Sequence, residues 1–399
     1  MLFSLALIFL VGLSAAAIFQ LIGLPRIIGM LASGIVIGPY VLDLLDPSVL
    51  GISSELRQIA LIIILIKAGL SLNFSDLKKV GRPSVMMSFV PACFEILGYL
   101  CFAPLLLGVN LIESAVMGAV LSAVSPAVVV PRMVKLIEEK RGTSKSVPQM
   151  ILAGASCDDI FVIVLFSTFV TMAQGGTAHI MDFVNIPISI ILGVLLGIII
   201  GFGVYILFEK AFEKEHKVRN STKVIIILAV AFLLMTIETW LKEYIALSGL
   251  LAVVAMACVI KLKSDCSVSV RLSEKFGKLW IAAEIILFVL VGSAVDIRYT
   301  LTAGISAIGM IFIALTFRAV GVLICMFGTK LTSKERLFCV IAYLPKATVQ
   351  AAIGSVPLSL GLSCGKIILS VAVLAIIITA PLGAFGIDNS YKKLLQDNS

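Results

Sequence analysis

The sequence is poor in charged residues, which occupy only 14% of its 399 positions. Ordinary globular domains carry about 25%. This shortage, together with 60% hydrophobic residues, excludes a soluble domain, a disordered chain and a nucleic-acid-binding protein. The chain instead has apolar runs from Leu2 to its end, each close to the roughly 20 residues that a helix needs to cross a bilayer. The sequence therefore predicts an all-α polytopic membrane protein.

Histidine and paired cysteine are also scarce. The two histidines, His179 and His216, are too few for a histidine metal site. The eight cysteines include no Cys-x-x-Cys pair, and most of them fall in apolar runs. That placement favours buried thiols over metal ligands or disulfides, and we expect no cofactor.

Apolar runs between charged or Pro/Gly-rich stretches predict thirteen membrane spans. Their approximate bounds are 2–22, 26–43, 55–72, 84–107, 113–135, 146–172, 182–208, 221–240, 243–261, 279–296, 302–328, 335–357 and 362–386. The loops after the odd-numbered helices, with the C-terminal tail, account for 24 of the 31 Lys and Arg residues, and the opposite loops hold four. The positive-inside rule then places the N-terminus outside and the C-terminus in the cytoplasm. The first span could alternatively be a cleaved signal peptide, but it lacks the basic segment that precedes one.

Three short segments recur in order at an offset of 219 to 223 residues. The matched segments are 29–32 with 249–252, 68–73 with 291–296, and 124–126 with 343–345. Such a pattern favours two inverted six-helix repeats within a single transmembrane domain over 1–399. We expect the first repeat at about 1–175, a linker helix at about 180–210, and the second repeat at about 220–388.

Five ionisable residues fall near the middle of predicted spans, where an unpaired charge costs several kcal/mol. They are Glu95, Asp158, Asp159, Arg318 and Lys346. The two aspartates are adjacent and point about 100° apart on a helix, so they cannot share one partner. Two carboxylates this close repel each other when both are charged. One of them is therefore suited to bind either a proton or a small cation. Ion pairs that only hold the helices together are the alternative, above all for Glu95 with Arg318.

Prolines interrupt two of the predicted spans at the depth of these acids. Pro126 and Pro131 lie in the fifth span and Pro345 in the twelfth, and each removes a backbone hydrogen bond. Broken helices at corresponding places in two repeats are typical of a transporter whose half-helix ends face the substrate, although isolated kinks are the alternative. Nearby hydroxyl groups can bind a hard cation or bond to their own helix backbone. These candidate ligands are Ser122, Ser125, Ser156 and Thr348.

Together, these motifs resemble those of sodium/proton antiporters. The resemblance rests on Ala-Ser-Cys-Asp-Asp-Ile at 155–160, Ser-Pro-Ala-Val-Val-Val-Pro at 125–131 and Leu-Pro-Lys-Ala-Thr at 344–348. It points to the cation:proton antiporter superfamily and within it to the NHA-type branch, which is related to the bacterial NapA antiporters. The resemblance covers essentially the whole chain. It implies a NhaA/NapA-like fold with crossed broken helices, a homodimer, and a mobile six-helix core working by an elevator form of alternating access.

The same resemblance implies roles for individual residues. Asp159 would be the main carrier of cation and proton, and Asp158 its partner. In much of the aspartate-pair branch a lysine pairs with the first aspartate, and here that position holds Arg318, which cannot release a proton. The resemblance also implies an ion-pair framework of Glu95 with Arg318, and of Lys346 near Asp158. How many protons leave for each cation remains open.

We therefore predict a secondary active transporter, not an enzyme, that exchanges Na⁺ or Li⁺ for H⁺ and binds the cation at Asp158 and Asp159. We expect a homodimer surrounded by lipids in a bacterial inner or cell membrane, with no nucleic-acid partner. A K⁺/H⁺ antiporter and an organic-anion symporter on the same crossed-helix fold are the alternatives, but a symporter would not need paired aspartates. An intramembrane aspartyl protease is disfavoured because the sequence lacks Gly-x-Gly-Asp, and a channel would conduct faster and without exchange.

Overall fold

The computed structural model describes residues 1–71, 81–175, 180–215, 220–241, 245 and 247–396. Over these residues the chain is helical and contains no β-strand. The helices are α1 Leu2–Leu21, α2 Arg26–Ile37, α3 Pro47–Gly51, α4 Ser53–Ser71, α5 Arg82–Met87, α6 Val90–Leu107, α7 Leu111–Leu121, α8 Pro126–Glu138, α9 Val147–Gln174, α10 Ile180–Glu215, α11 Asn220–Leu241, α12 Gly249–Lys263, α13 Cys266–Ser293, α14 Ile297–Cys325, α15 Ser333–Ala342, α16 Thr348–Gly354, α17 Val356–Ser359 and α18 Gly365–Leu394.

Nine helical segments of the described residues are long and apolar enough to cross a bilayer. The other four predicted spans coincide with α2, α4, α12 and the interrupted stretch from α15 to α17. Helices α2 and α12 have only 12 and 15 residues, and α4 carries Glu55, Arg57 and Lys67. The all-α polytopic architecture is confirmed, whereas the count of thirteen spans stays a prediction.

Helix ends differ from the predicted spans where the chain becomes charged. Helix α13 begins at Cys266 rather than at 279, and α18 continues to Leu394 rather than to 386. Lys, Arg and Glu are good helix formers, so hydropathy marks where a span becomes polar and not where its helix ends. The predicted span at 84–107 did not include the interruption at Ser88 and Phe89, which separates α5 from α6. Pro91, in the first turn of α6, is the sequence signal that marks this new helix start.

The described residues form two compact units, each drawn from several parts of the chain. Unit 1 comprises Met1–Ser54, Asn73–Val162 and Leu287–Ser399, and unit 2 comprises Glu55–Leu72 and Ile163–Ile286. This division differs from the predicted repeats, which rest on topology and not on compactness. The repeats at about 1–175 and 220–388, with their linker helix, therefore stay a prediction.

Unit 1 contains every mid-span charge singled out above. Within it, α6 packs against α14 and α7, and α18 packs against α15 and α16. The contact between α6 and α14 is close because glycines face bulkier groups: Gly98 lies against Phe317, and Gly321 lies against Pro91. This packing brings Glu95 of α6 and Arg318 of α14 within ion-pair distance.

In unit 2 the main contact joins α10 to α12. Gly193, Gly197 and Gly201 recur every four residues along α10 and approach the backbone of α12. A Cβ atom at Gly197 would overlap the carbonyl of Ala252. Small residues at this spacing allow two membrane helices to approach closely, so the backbones of α10 and α12 lie against each other.

Candidate functional site

The first helix break lies between α7 and α8. Helix α7 ends at Leu121 and α8 begins at Pro126, so residues 122–125 form an uncoiled segment, called the first break below. Proline suits the first position of a helix because it has no N–H to satisfy and its φ is already helical. Ser125 is the N-cap residue, but its hydroxyl accepts no capping bond. All four residues of the break are buried.

The prediction that Pro131 also breaks the helix is wrong, because Pro131 lies inside α8. Its missing N–H removes only the bond to the carbonyl of Ala127, which belongs to the first turn of α8. The helix continues to Glu138.

The second helix break lies between α15 and α16. Helix α15 ends at Ala342 and α16 begins at Thr348, so residues 343–347 form the second break, with Pro345 at its centre. The ring of Pro345 occupies the space that a Cβ atom at Gly383 of α18 would need. A glycine at that position therefore makes room for the break.

The two breaks touch directly within unit 1. The backbone N–H of Ser125 in the first break donates to the carbonyl of Pro345 in the second, at 2.8 Å. The side-chain amide of Gln350 on α16 donates from Nε2 to the carbonyls of Ala123 at 2.8 Å and Leu121 at 3.4 Å. Hydrogen bonds from backbone and side chain thus hold the breaks against each other.

Arg318 of α14 joins the breaks to two acids, and its side chain is fully buried. Nη1 donates to Glu95 Oε2 and Nη2 donates to Asp158 Oδ2, both at 2.9 Å. Nε donates to the carbonyl of Tyr343 at 2.6 Å, and Nη1 also donates to the carbonyl of Ser122. A planar guanidinium with five donors can make all these contacts at once, whereas an ammonium group cannot.

Lys346 differs from its predicted place in the ion-pair framework. Its ammonium lies 2.6 Å from Glu95 Oε2, and the expected partnership with Asp158 is not the one that forms. Asp158 Oδ2 is already occupied by Arg318 and by the backbone N–H of Val124, which donates at 2.8 Å. Glu95 therefore contacts both cationic side chains, whereas Asp158 contacts only that of Arg318.

Asp159 stands apart from this network. Its exposed fraction is 8%, against 0% for Asp158, and no Lys or Arg of the described residues lies within ion-pair distance of it. The positive charges of Arg318 and Lys346 together balance the negative charges of Glu95 and Asp158. The site therefore carries one net negative charge, that of Asp159. A buried, uncompensated carboxylate is costly unless it takes up a proton or a cation.

Several oxygen atoms near the breaks have no hydrogen-bond partner among the described atoms. They include Oδ1 of Asp158 and of Asp159, Oγ of Ser125, Oγ1 of Thr348 and Oη of Tyr343, and all are buried. Buried polar atoms are nearly always satisfied in folded proteins. Unsatisfied oxygens on α9 and at the two helix breaks are the ligands that a site for a hard cation would offer.

The other two candidate hydroxyl ligands, those of Ser122 and Ser156, are not among these unsatisfied oxygens. Ser122 Oγ donates to the carbonyl of Ala119 at 3.4 Å, within the same chain segment. Its hydroxyl proton is thus used locally, as the alternative interpretation allows. Ser156 lies in α9, but its side chain is outside those that the structure describes.

Three residues of the site were not anticipated from the sequence. Tyr343 places its ring 5.3 Å from the guanidinium carbon of Arg318, and Thr379 Oγ1 accepts the backbone N–H of Lys346 at 2.9 Å. The third, Gln350, binds the first break. Only Gln350 left a signal: a glutamine at the third position of a helix that follows a proline break is a common capping residue.

A protein-family model described as sodium/hydrogen exchanger, transmembrane, matches residues 5–388. A human protein named sodium/hydrogen exchanger 9B2 is 32% identical over 94% of this chain and 70% of its own length. A human protein named sodium/hydrogen exchanger 9B1 is 30% identical over 96% of this chain and 76% of its own length. Among solved structures, the sodium proton antiporter MjNhaP1 from Methanocaldococcus jannaschii superposes with a TM-score of 0.78 at 20% identity, covering 98% of this chain and 97% of that one. The likeness in structure confirms the predicted antiporter-type fold.

Proposed function

Because the chain belongs to the sodium/hydrogen exchanger family, we propose that Asp159 is the group at which Na⁺ and H⁺ compete. The chain is an integral membrane transporter of Na⁺ and H⁺ and not an enzyme. The observation that carries the proposal is the charge balance of the buried site. Glu95 and Asp158 are neutralised by Arg318 and Lys346, which leaves Asp159 as the acid whose charge is free to change.

The cation ligands that we propose are unsatisfied oxygens of α9 and of residues at the two helix breaks. Asp159 and Oδ1 of Asp158 would supply charge, and the hydroxyls of Ser125 and Thr348 would supply neutral oxygens. Na⁺ and Li⁺, as hard cations, suit such an all-oxygen set. Ser156, on the turn of α9 that precedes the aspartates, stays a predicted ligand. No resident cofactor has a part in this mechanism.

Competition at one acid also suggests the stoichiometry. Arg318 keeps its proton at all working pH values, and Lys346 is held against Glu95. If only Asp159 changes its occupant, one Na⁺ replaces one H⁺ and the charge of the loaded site stays the same. We therefore expect exchange to be electroneutral.

Alternating access, assembly and orientation are parts of the same proposal. Hydrogen bonds between the two breaks favour a core that moves as one body, which is what an elevator movement requires. The excess of Lys and Arg in alternate loops favours an extracellular N-terminus and a cytoplasmic C-terminus. A homodimer surrounded by lipids, in a bacterial inner or cell membrane, is the assembly we expect.

The experiment is cation-induced proton movement in everted membrane vesicles. A pH-sensitive dye reports the proton gradient after NaCl, LiCl or KCl is added. We expect NaCl and LiCl to collapse the gradient with the native chain, and Asp159→Asn to abolish this response. Asp388→Asn is the matched control, because it makes the same change at an exposed carboxylate on α18.

The outcomes separate the candidate functions. Unchanged exchange with Asp159→Asn would refute the assignment of the carrier. A response to KCl alone would indicate the K⁺/H⁺ antiporter. Proton movement insensitive to all three cations would favour the organic-anion symporter, although nothing in the site recommends it.

A further inference from the structure

The first break frees several backbone carbonyls, including three consecutive ones, those of Leu121, Ser122 and Ala123. In a continuous helix each would accept the N–H four residues later. The N–H of Ser125 is instead given to Pro345, Pro126 has no N–H, and the third N–H would come from the first turn of α8. Carbonyls released in this way beside a carboxylate pair are ready ligands for a cation.

The structure gives each of these three carbonyls another partner. Arg318 Nη1 donates to the carbonyl of Ser122, and Gln350 Nε2 donates to those of Leu121 and Ala123. Both donors are fully buried. Gln350 is uncharged and touches none of the five ionisable groups in the described contacts, so its role concerns the backbone of the break.

The orientation of the Gln350 amide follows from its surroundings. Oε1 accepts the backbone N–H of Ala347 at 2.8 Å, while Nε2 faces the two carbonyls. A flipped amide would place NH₂ against an N–H and oxygen against carbonyl oxygen, so only one orientation satisfies all partners. The amide therefore has a fixed donor side toward the first break.

We propose that Gln350 is a positioning residue that sets cation specificity, because it withholds the carbonyls of Leu121 and Ala123 from the ion. The inference rests on the proposed function, since it concerns the same site. With these carbonyls engaged, the cation is held mainly by carboxylate and hydroxyl oxygens. Such a strong-field set favours small cations, whereas added neutral carbonyls favour larger ones.

The test compares Michaelis constants for Li⁺ and Na⁺ in proteoliposomes that contain the full-length chain. Gln350→Met keeps the unbranched shape and removes the amide, and Gln350→Asn keeps an amide but shortens its reach by one methylene. We expect Gln350→Met to raise the ratio KM(Li⁺)/KM(Na⁺) by roughly three- to tenfold, the effect of one ordinary hydrogen bond. Gln350→Asn should give a smaller shift in the same direction, and kcat should change less than KM.

Ser114→Ala is the matched control. Ser114 is equally buried, but its hydroxyl donates only to the carbonyl of Asn110, one turn earlier near the start of α7. We expect this substitution to leave the KM ratio unchanged.

Each other outcome decides against the inference. An unchanged ratio with Gln350→Met, or equal shifts for both cations, would show that Gln350 has only a structural role. Failure of both Gln350 variants to reach the membrane folded would make Gln350 a folding residue and would reject the specificity role. The proposed function fails separately, if the native chain shows no exchange of Li⁺ or Na⁺ for H⁺.

Discussion

The same arginine–carboxylate contact of 2.9 Å occurs in two very different regions of unit 1. Arg318 donates to Glu95 and Asp158 where all three side chains are buried. Arg132 of α8 donates to Asp388 of α18 where the side chains are 27% and 51% exposed. Because water already solvates the exposed pair, its formation gains little free energy. In the buried network each charge depends on its partners, so removing one leaves another uncompensated.

The strongest test of this contrast is Arg318→Met. It leaves Glu95 and Asp158, both buried, with only the ammonium of Lys346 between them. We expect a loss of about 3–5 kcal/mol in the free energy of unfolding, the cost of an uncompensated buried charge. The measurement is thermal unfolding of the purified protein in detergent. Arg318→Lys should restore part of the loss, because it restores the charge but not the contacts to both breaks. A loss below about 1 kcal/mol would place the network in the same class as the surface pair.

A double-mutant cycle on Glu95 and Lys346 sharpens the comparison. Glu95→Gln and Lys346→Met each leave a buried charged partner unpaired. We expect each substitution to destabilise the protein by about 2–4 kcal/mol. The double variant should cost clearly less than the sum of the two, because it leaves no unpaired ammonium. Unfolding midpoints of the four proteins give the coupling free energy. Additive losses would show that the 2.6 Å contact contributes no specific interaction.

The smallest effect is expected at the exposed pair. Asp388→Asn should lower the free energy of unfolding by no more than about 1 kcal/mol, and the rate of cation-driven proton exchange should not change. Raising the salt concentration should reduce the difference in free energy of unfolding between this variant and the native chain, since exposed charges are screened. Loss of exchange would mean that the contact between α8 and α18 has a role in transport beyond stability.

Much of the site could be predicted because the position of a residue along an apolar run gives its depth in the membrane. Apolar runs place Glu95, Asp158, Asp159, Arg318 and Lys346 at mid-span from their distance to the polar ends alone. Proline has a local effect on the backbone, so the interruptions at Pro126 and Pro345 could also be predicted. The helical type of the described elements and the approximate positions of the spans follow from the same patterns, whereas the helix ends do not.

What could not be predicted depends on rotation and on neighbours. The carboxylate that Lys346 contacts depends on the rotation of each helix about its axis. The position of a residue along its span does not give that rotation. Pro131 resembles a break in sequence, yet the turn it occupies tolerates the loss of one hydrogen bond. Gln350 carries no charge, so a search for intramembrane charges passes over it, although it contacts both breaks.

The most direct test of the account is the number of protons released when Na⁺ binds to the purified protein. Titration calorimetry in buffers of different ionisation enthalpy gives this number. If Arg318 and Lys346 neutralise Glu95 and Asp158, only Asp159 exchanges its occupant, and we predict about one proton for each Na⁺ under conditions where Asp159 starts protonated. Asp159→Asn should neither bind Na⁺ nor release a proton. Release of two protons for each Na⁺ in the native chain, or binding by Asp159→Asn with the native stoichiometry, would contradict the account.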